Sequence, residues 1–528
     1  MKTHNHSGYS LPDNETLYAN DRTVLIPSGL FFVKFDFPAA PRYNQRKVLH
    51  SSIQRKGISF MKNIQLADGV NTGALCDFIK ECYANGTHIR AFQCVKDNTV
   101  LAKVAIEPFS FEEPMLVYSL SKSFTSVCVG IAQSEGLLNI EERIVDIFPE
   151  KCPAAISENL AKMRIKDCLS MTSGHASCIF SQLRYESDPI RYFLAQPVAY
   201  EPGTTFVYST AATYICGAAI EKRSGKSLID YLYEKVLCKM GVEKPEWRRC
   251  PDGSCHGGTG LIISSDVLTK FGVLLRDGGV YNGVQIVPKE WIQTAASVHA
   301  DTRRNGTPDW SAGYGYQFWM NAREGFRGDG AYGQLCMVFP KRNIVFTMLC
   351  EAMYMQKEVD SVYKLLDEIE TADDSRYEEL KMLSETLYKP ETNSGHFESR
   401  HYTAEKNIAD VQAIKLDQSG DGITVTLKCG FGAQTIACGN GFYKKNRLSL
   451  LNLTPLNADT RVFEQPNPVN FFAAYEESGD EVRVILRHAD LPHTQTWRFP
   501  KGDGDWTVSL HVGTLNPQIQ KTPVKVVK

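Results

Sequence analysis

The sequence predicts an α+β body followed by a C-terminal all-β domain, and two observations carry that prediction. Between residues 61 and 370, segments of helical periodicity alternate with short apolar runs, which is typical of an antiparallel sheet flanked by helices. Beyond residue 400, short alternating runs are separated by turn signals, which favours a sandwich or a barrel. We therefore divide the chain into an N-terminal extension (1–60), a body (61–370), a helical linker (371–400) and a β domain (401–528).

Composition and charge restrict the class of function. The 58 Lys and Arg residues nearly balance the 60 Asp and Glu residues, so we expect no nucleic acid or membrane partner. No apolar run approaches the roughly 20 residues that span a bilayer. The N-terminus lacks the apolar run of a secretory signal, and 15 scattered cysteines are then best interpreted as reduced thiols. We expect a cytoplasmic protein.

The elements of the body and linker follow from local patterns. A helix is predicted at 72–83, and apolar residues at 120, 124, 127, 128 and 131 predict a second helix that Gly136 ends. Apolar runs at 335–339 and 344–350, joined by a turn, predict a hairpin. A further helix is predicted at 375–388, and the breaker-rich stretch 389–395 suits a linker.

The β domain is predicted from its alternating runs and from the turns between them. The turn signals are Ser-Gly-Asp-Gly at 419–422 and Gly-Asn-Gly at 439–441. The predicted strands include 423–427, 469–475, 482–486 and 494–499.

The strongest chemical signal is the segment Tyr-Ser-Leu-Ser-Lys-Ser-Phe-Thr-Ser at 118–126. Ser119 and Lys122 are three residues apart and share one helix face, and the positive end of the helix dipole would help an attacking alkoxide. A desolvated Lys122 would lose affinity for its proton and could accept the one from Ser119. The spacing alone is weak evidence, because about two such pairs are expected by chance in a chain of this length.

The surrounding residues make the signal specific. The segment resembles the serine β-lactamase and penicillin-binding superfamily, especially class C β-lactamases, family VIII carboxylesterases and D-aminopeptidases. The resemblance extends from about residue 70 to 350. Further segments that carry it are Arg-Ile-Lys-Asp-Cys-Leu-Ser-Met-Thr-Ser-Gly at 164–174, Pro-Gly-Thr-Thr-Phe-Val-Tyr-Ser-Thr at 202–210, Gly-Gly-Thr-Gly-Leu at 257–261 and Gly-Asp-Gly-Ala-Tyr-Gly-Gln at 328–334. It implies a β-lactamase/transpeptidase-like antiparallel sheet with flanking helices.

The resemblance also implies residue roles. Ser119 would be the acylated nucleophile, with Lys122 and Tyr208 sharing proton transfer. The backbone amides of Ser119 and Ala331 would form the oxyanion hole. A phenol becomes a usable base only where a cation favours phenolate, and Lys122 could be that cation. The alternative for Tyr208 is a core tyrosine.

Thr210, Gly328, Asp329 and Gly330 are expected to bind substrate, and they depart from the family pattern. Thr210 stands where the family has asparagine. Residues 328–330 stand where it has Lys-Thr-Gly or His-x-Gly, so the cation that meets a β-lactam carboxylate is missing. Arg327 should not replace it, because consecutive strand side chains face opposite sides.

Metal and cofactor sites are not predicted. Cys250, Cys255 and His256 match no common zinc spacing, and the glycines at 328, 330 and 333 precede β-type sequence instead of the helix that a dinucleotide site needs. His175 is expected to be structural or pocket-lining.

We therefore expect a metal-independent serine hydrolase that acts through an acyl-enzyme on a small ester or amide. A β-lactamase or DD-peptidase is the first alternative, and a catalytically silent ligand-binding protein is the second. The three motif segments all precede residue 335, so we expect the β domain to shape access to the cleft without taking part in bond breaking.

Overall fold

A computed structural model of the chain describes residues 62–403, 411–429, 432–448, 469–502, 504 and 506–510. The predicted N-terminal extension, 1–60, lies outside the described residues. All of the described residues belong to one compact unit. Within the described part, no helix is long and apolar enough to cross a bilayer.

The body contains both predicted element types. Its strands are β1 (Ile64–Leu66), β2 (His88–Lys96), β3 (Thr99–Ala105), β4 (Met115–Leu116), β5 (Glu246–Trp247), β6 (Leu261–Ile263), β7 (Val280–Tyr281), β8 (Val284–Gln285), β9 (Trp319–Met320), β10 (Phe326–Gly330), β11 (Gln334–Phe339) and β12 (Ile344–Glu351). Its helices, with those of the predicted linker, are α1 (Thr72–Ala84), α2 (Ser121–Ser134), α3 (Ile144–Ile147), α4 (Glu158–Lys162), α5 (Ile165–Leu169), α6 (Phe180–Leu183), α7 (Pro189–Ala195), α8 (Thr210–Ser224), α9 (Leu228–Leu232), α10 (Ser265–Arg276), α11 (Lys289–Ala295), α12 (Met355–Glu368) and α13 (Tyr377–Thr386).

The main sheet of the body is antiparallel and buried on both faces. In the described residues its strand order is β1-β3-β2-β12-β11-β10-β9. Cys336 and Val338 of β11 join the core that contains α2 and α8, whereas Leu335, Met337 and Phe339 join the core that contains α1 and α12. Burial on both faces explains why β11 and β12 appear in the sequence as continuous apolar runs, and the predicted hairpin is confirmed.

Helix α2 lies in the interior and carries the lysine of the predicted motif. It ends at Ser134, and Gly136 follows in the left-handed region with a φ of 71°, as predicted. Its first residue is Ser121, so Ser119 lies in a 3-10 turn, Tyr118–Leu120, and not in the α-helix itself. The correction leaves the shared face intact, because residues three apart are eclipsed in a 3-10 turn.

Helix α13, within the predicted linker, packs on the body. Leu380 and Leu383 are buried in the same core as α1. Arg376 pairs with Asp77 of α1 at 2.8 Å. The predicted helix at 375–388 is thus present, shortened at both ends, and it forms part of the helical layer that covers the sheet.

The C-terminal domain is a single curled sheet. Its strands are β13 (Arg400–Thr403), β14 (Val411–Ser419), β15 (Gly422–Cys429), β16 (Gly432–Gly439), β17 (Lys444–Leu448), β18 (Val469–Ser478), β19 (Glu481–His488), β20 (Thr494–Pro500) and β21 (Thr507–Leu510). Among the described residues the order is β13-β14-β15-β16-β18-β19-β20-β21, with β17 paired to β18.

The curl brings the first strand of this domain close to the end of β20. The Tyr402 hydroxyl donates to the Pro500 carbonyl at 3.0 Å, and Arg400 donates to the Lys501 carbonyl at 2.9 Å. Trp497 and Phe499 are fully buried on the concave side. Of the two predicted architectures, the structure therefore has a half-barrel and not a sandwich.

Candidate active site

Ser119 sits in a tight turn between β4 and α2. Tyr118, just before it, has a φ of 47°, a backbone conformation that side chains other than glycine rarely adopt. The Ser121 hydroxyl donates to the Tyr118 carbonyl at 2.6 Å and accepts the Leu261 N–H at 3.1 Å. These bonds tie the turn to β6 and fix the position of the serine.

Lys122 is buried, with 1% of its surface exposed, and its Nζ faces three oxygen atoms. Ser119 Oγ lies at 3.1 Å, Thr210 Oγ1 at 3.0 Å and the Gly258 carbonyl at 2.7 Å. Burial lowers the pKa of Lys122 from 10.5 to about 7, only partly offset by Cys178 and Asp329. The amine can therefore lose its proton near neutral pH.

One of these three oxygens, the Gly258 carbonyl, belongs to the glycine pair Gly257-Gly258. A Cβ at Gly258 would lie 2.8 Å from the Thr210 carbonyl oxygen, so only glycine lets this loop approach α8 so closely. The Thr125 hydroxyl of α2 donates to the Gly257 carbonyl at 2.7 Å. This segment carries part of the family resemblance, but its contact with the lysine was not predicted. The two adjacent glycines are the signal that could have indicated a close backbone approach.

Tyr208 immediately precedes α8, and its ring lies beside the lysine. The Lys122 Nζ is 4.9 Å from the ring centroid, and the ring stacks on Trp319 at 5.6 Å. Burial and the Asp329 carboxylate raise the pKa of Tyr208 above its ordinary value, although the Ser119 hydroxyl acts in the opposite direction. Tyr208 is therefore a neutral phenol. The sequence suggested that Lys122 would favour the phenolate, but this environment favours the protonated form.

The end of β10 lies against the turn that carries Ser119. A Cβ at Gly330 would lie 2.1 Å from the Val117 carbonyl oxygen, so glycine is required for this approach. Ala331 follows directly, and both Ala331 and Ser119 line the same cavity. The two predicted oxyanion residues are thus brought together by one close backbone contact.

Gly328, which stands where the family pattern has a lysine or histidine, is packed against neighbouring atoms. A Cβ at Gly328 would lie 2.6 Å from the Ser123 hydroxyl, so a lysine or histidine there would have to displace that hydroxyl. Asp329 lines the cavity, and the Arg327 Nε donates to its carboxylate at 3.1 Å. Burial raises the pKa of Asp329, and Arg327 opposes that effect.

Arg327 supports Asp329 in the cavity wall without lining the cavity itself. It is fully buried and donates to the Met320 and Asp309 carbonyls, each at 3.0 Å. Its guanidinium lies 4.4 Å from the ring centroid of Trp310. It is absent from the cavity lining, so it does not stand in for the missing cation.

The cavity in front of Ser119 has a volume of about 420 Å³. Its walls include residues that the sequence analysis did not assign, namely Phe206, Asn305, Thr307, Trp310 and Trp319. Most of these residues are more than 180 positions from Ser119, and no local pattern marks them. Thr210 does not line the cavity, because its hydroxyl is directed at Lys122.

The remaining candidates lie elsewhere in the body. His175 is buried, with its Nδ1 3.2 Å from the Ser173 hydroxyl and its ring against Phe193, and burial lowers its pKa. His256 is buried against Phe180. In the part of the chain that the structure describes, no three His, Cys, Asp or Glu side chains form a group that could hold a metal ion.

Several known proteins are similar to this chain in sequence or in fold. The 6-aminohexanoate-dimer hydrolase of Paenarthrobacter ureafaciens is 23% identical over 280 residues, which is 49% of this chain and 71% of that protein. A D-stereospecific amidohydrolase from Streptomyces is 15% identical, with a TM-score of 0.45, over 55% of this chain and 98% of that one. The octameric penicillin-binding protein homologue from Pyrococcus abyssi is 14% identical, with a TM-score of 0.46, over 85% of this chain and 98% of that one.

A family model gives the family directly. The β-lactamase model matches residues 91–370, more than half of the chain. That range contains Ser119, Lys122, Tyr208 and the strand that ends at Gly330. The chain belongs to the β-lactamase family of serine hydrolases.

Proposed function

We propose that the chain cleaves a small ester or amide through an acyl-enzyme on Ser119, without a metal ion. The observation that carries this proposal is the buried Lys122 amine, 3.1 Å from the Ser119 hydroxyl and with a pKa lowered to about 7. A base whose pKa lies near the working pH is the most effective proton acceptor.

The three contacts of Lys122 orient its lone pair. A carbonyl oxygen can only accept, so the Gly258 carbonyl takes one N–H of the neutral amine. Thr210 Oγ1, at 3.0 Å, takes the second. The lone pair is then directed at Ser119, whose proton moves to Nζ as Oγ attacks the substrate carbonyl carbon.

The remaining steps use the other residues of the site. The N–H groups of Ser119 and Ala331 stabilise the oxyanion that forms on the substrate. The proton held by Lys122 passes, with the neutral Tyr208 hydroxyl as relay, to the leaving alcohol or amine, and the ester bond to Oγ remains. Water then attacks this acyl-enzyme, gives its proton to Lys122, and releases the acid while Oγ regains its hydrogen.

The charged groups of the cavity favour neutral substrates. None of the described residues that line the cavity is a cation, and the Arg327 guanidinium is already bonded to the Asp329 carboxylate. A β-lactam carries a carboxylate, which would leave water without gaining an ion-pair partner there, and this is costly. The aromatic side chains of Phe206, Trp310 and Trp319 suit an apolar acyl group, and the volume of about 420 Å³ suits a small one.

Covalent labelling tests the nucleophile. After incubation with a fluorophosphonate, intact mass should increase by one adduct, and peptide mapping should place it on Ser119. Ser119→Ala should abolish labelling and turnover, whereas Ser126→Ala, at a buried serine of the following helix α2, should change neither. Labelling of Ser121 or Ser123 would contradict the assignment, and no labelling of the folded protein would favour the silent binding alternative.

Substrate pairs test the specificity. A short-chain aryl ester should turn over faster than a chromogenic cephalosporin, which is the reverse of what a β-lactamase does. An aryl ester whose acyl chain ends in a carboxylate should be cleaved more slowly than its neutral methyl-ended counterpart, and Asp329→Asn should narrow that gap. EDTA should leave turnover unchanged, because the described residues bring no metal-ligand set together.

A further inference from the structure

Both turns that supply the oxyanion amides are held in unfavourable backbone conformations. Tyr118, just before Ser119, has a φ of 47°, and Tyr332, just after Ala331, has a φ of 67°. Residues other than glycine keep such conformations only where the surroundings hold them in place. The atoms that hold these two tyrosines therefore determine where the amides point.

The two tyrosines are packed against each other and against one histidine of the C-terminal domain. Their rings meet edge to face, with centroids 5.3 Å apart, and both residues are buried. The His493 ring lies 4.9 Å from the Tyr332 ring, also edge to face. The Tyr118 hydroxyl is 3.3 Å from His493 Nε2. One imidazole thus contacts both turns.

His493 is carried by a loop that the body holds rigidly. This loop, which we name the tip loop, is residues 489–493 between β19 and β20. The buried Arg90 of β2 donates to the carbonyls of Ala489, at 3.0 Å, and Leu491. The Leu116 N–H, two residues before Tyr118, donates to the Asp490 carbonyl at 2.9 Å.

A second set of hydrogen bonds holds the C-terminal domain close to the turn that contains Ala331 and Tyr332. Glu351, at the end of β12, accepts the Thr494 N–H at 2.6 Å and the Thr494 hydroxyl at 2.8 Å. The neighbouring Ala352 N–H donates to the Tyr332 carbonyl at 3.0 Å. The C-terminal domain is therefore bonded to the flanks of both turns that carry an oxyanion amide.

We propose that the tip loop is part of the oxyanion framework and that His493 is a positioning residue for the amides of Ser119 and Ala331. This inference rests on the proposed function. His493 and the other described residues of the C-terminal domain are absent from the cavity lining, so His493 would act through the two turns. Oxyanion donors must be aimed at the position of the developing charge, so loosening either turn should weaken binding of the transition state more than binding of the substrate.

The test compares two histidines of the same hairpin. His493→Phe keeps a ring against Tyr332 but removes the nitrogen that faces Tyr118. His488→Phe is the matched control, since His488 is also buried but contacts Gln495 and Phe471 inside the β domain. We expect His493→Phe to lower kcat on an aryl ester by 10- to 100-fold with KM changed less than threefold, and His488→Phe to leave both within twofold.

A transition-state analogue separates positioning from general destabilisation. An aryl boronic acid adds reversibly to the serine oxygen and places a charged oxygen in the oxyanion hole, so its affinity should fall by the same factor as kcat/KM in His493→Phe. Tyr118→Phe, which removes only one oxygen atom, should reproduce the effect. Because both changes break the same contact, the double variant should be little worse than either single one.

Three outcomes would overturn the inference. One is a His493→Phe enzyme with kcat and boronate affinity within twofold of wild type. Another is an equal loss in His488→Phe, which would indicate stability alone. The third is full additivity of Tyr118→Phe and His493→Phe. Failure of the proposed function is distinguishable, because wild-type protein would then not be labelled by a fluorophosphonate at Ser119 at all.

Discussion

Replacing Lys122 by methionine should stabilise the fold in a pH-dependent way while abolishing activity. Burial lowers the pKa of Lys122 from 10.5 to about 7. At about 1.4 kcal/mol per pH unit, this fall corresponds to about 5 kcal/mol of differential interaction. The unfolded lysine binds a proton below pH 10.5 and the folded one only below about 7, so between these values the unfolded state holds one more proton. The free energy of unfolding of the wild type therefore rises with pH in this window and falls as the pH decreases.

Methionine removes this pH dependence of the free energy of unfolding, but it also lowers that free energy by an amount that does not depend on pH. It cannot donate to the Gly258 carbonyl or to Thr210, which leaves buried acceptors unpaired at a cost of about 2 kcal/mol. The variant should thus be more stable than the wild type by about 3 kcal/mol at pH 6 and about 2 kcal/mol at pH 7, and nearly equal to it at pH 9. The change between pH 6 and pH 9 is the discriminating quantity, because the lost hydrogen bonds do not depend on pH.

Urea unfolding of both proteins, followed by tryptophan fluorescence at several pH values from 6 to 9, measures this difference. Wild-type ester turnover, measured in parallel, should rise about tenfold per pH unit below pH 7 and level off above it, because the neutral amine is the base. A stability difference that stays constant between pH 6 and pH 9 would refute the reasoning. It would mean that Lys122 remains protonated in the folded protein and cannot accept the proton of Ser119.

Three further predictions concern the rest of the site. Tyr208→Phe should lower kcat about a hundredfold, and combining it with Lys122→Ala should add little to the loss from Lys122→Ala alone; near-full activity would make Tyr208 a packing residue. Gly330→Ala should lower ester turnover at least a hundredfold, because its Cβ would lie 2.1 Å from the Val117 carbonyl oxygen, beside the turn that carries Ser119. Unchanged kinetics would contradict that contact. Cys178 is exposed, and its Sγ is 3.3 Å from the Thr210 N–H, so a bulky maleimide attached to it should block turnover. Cys178→Ser should prevent this inhibition. Inhibition that persists in Cys178→Ser but is lost in Cys238→Ser, at the other exposed cysteine, would contradict the prediction.

The structure adds a contact between the two domains that the positions of the motifs do not indicate. Because all three motif segments precede residue 335, the sequence predicts a C-terminal domain that shapes access to the cleft without taking part in bond breaking. In the structure, His493 of that domain contacts Tyr118 and Tyr332. Removal of the domain at residues 389–395 would therefore uncover the buried faces of both turns, and labelling of Ser119 in such a truncation should be slower than in the full chain.

Features that depend on nearby residues could be predicted from the sequence. Ser119 and Lys122 share one face because they are three positions apart, and the end of α2 follows from Gly136. Buried strands such as β12 are recognisable as apolar runs because both of their faces are covered. The motifs, which are also local, indicate the family by their resemblance to it.

Features that depend on contacts between distant residues were decided only by the tertiary structure. The Gly258 carbonyl that orients Lys122, the Trp319 ring that stacks on Tyr208 and the tip loop that holds Tyr118 come from distant parts of the chain. The protonation states also belong to this class, because desolvation lowers the pKa of Lys122 and raises that of Tyr208. Local patterns record which face of an element is apolar, but they do not record which other element covers it or how much water is excluded there.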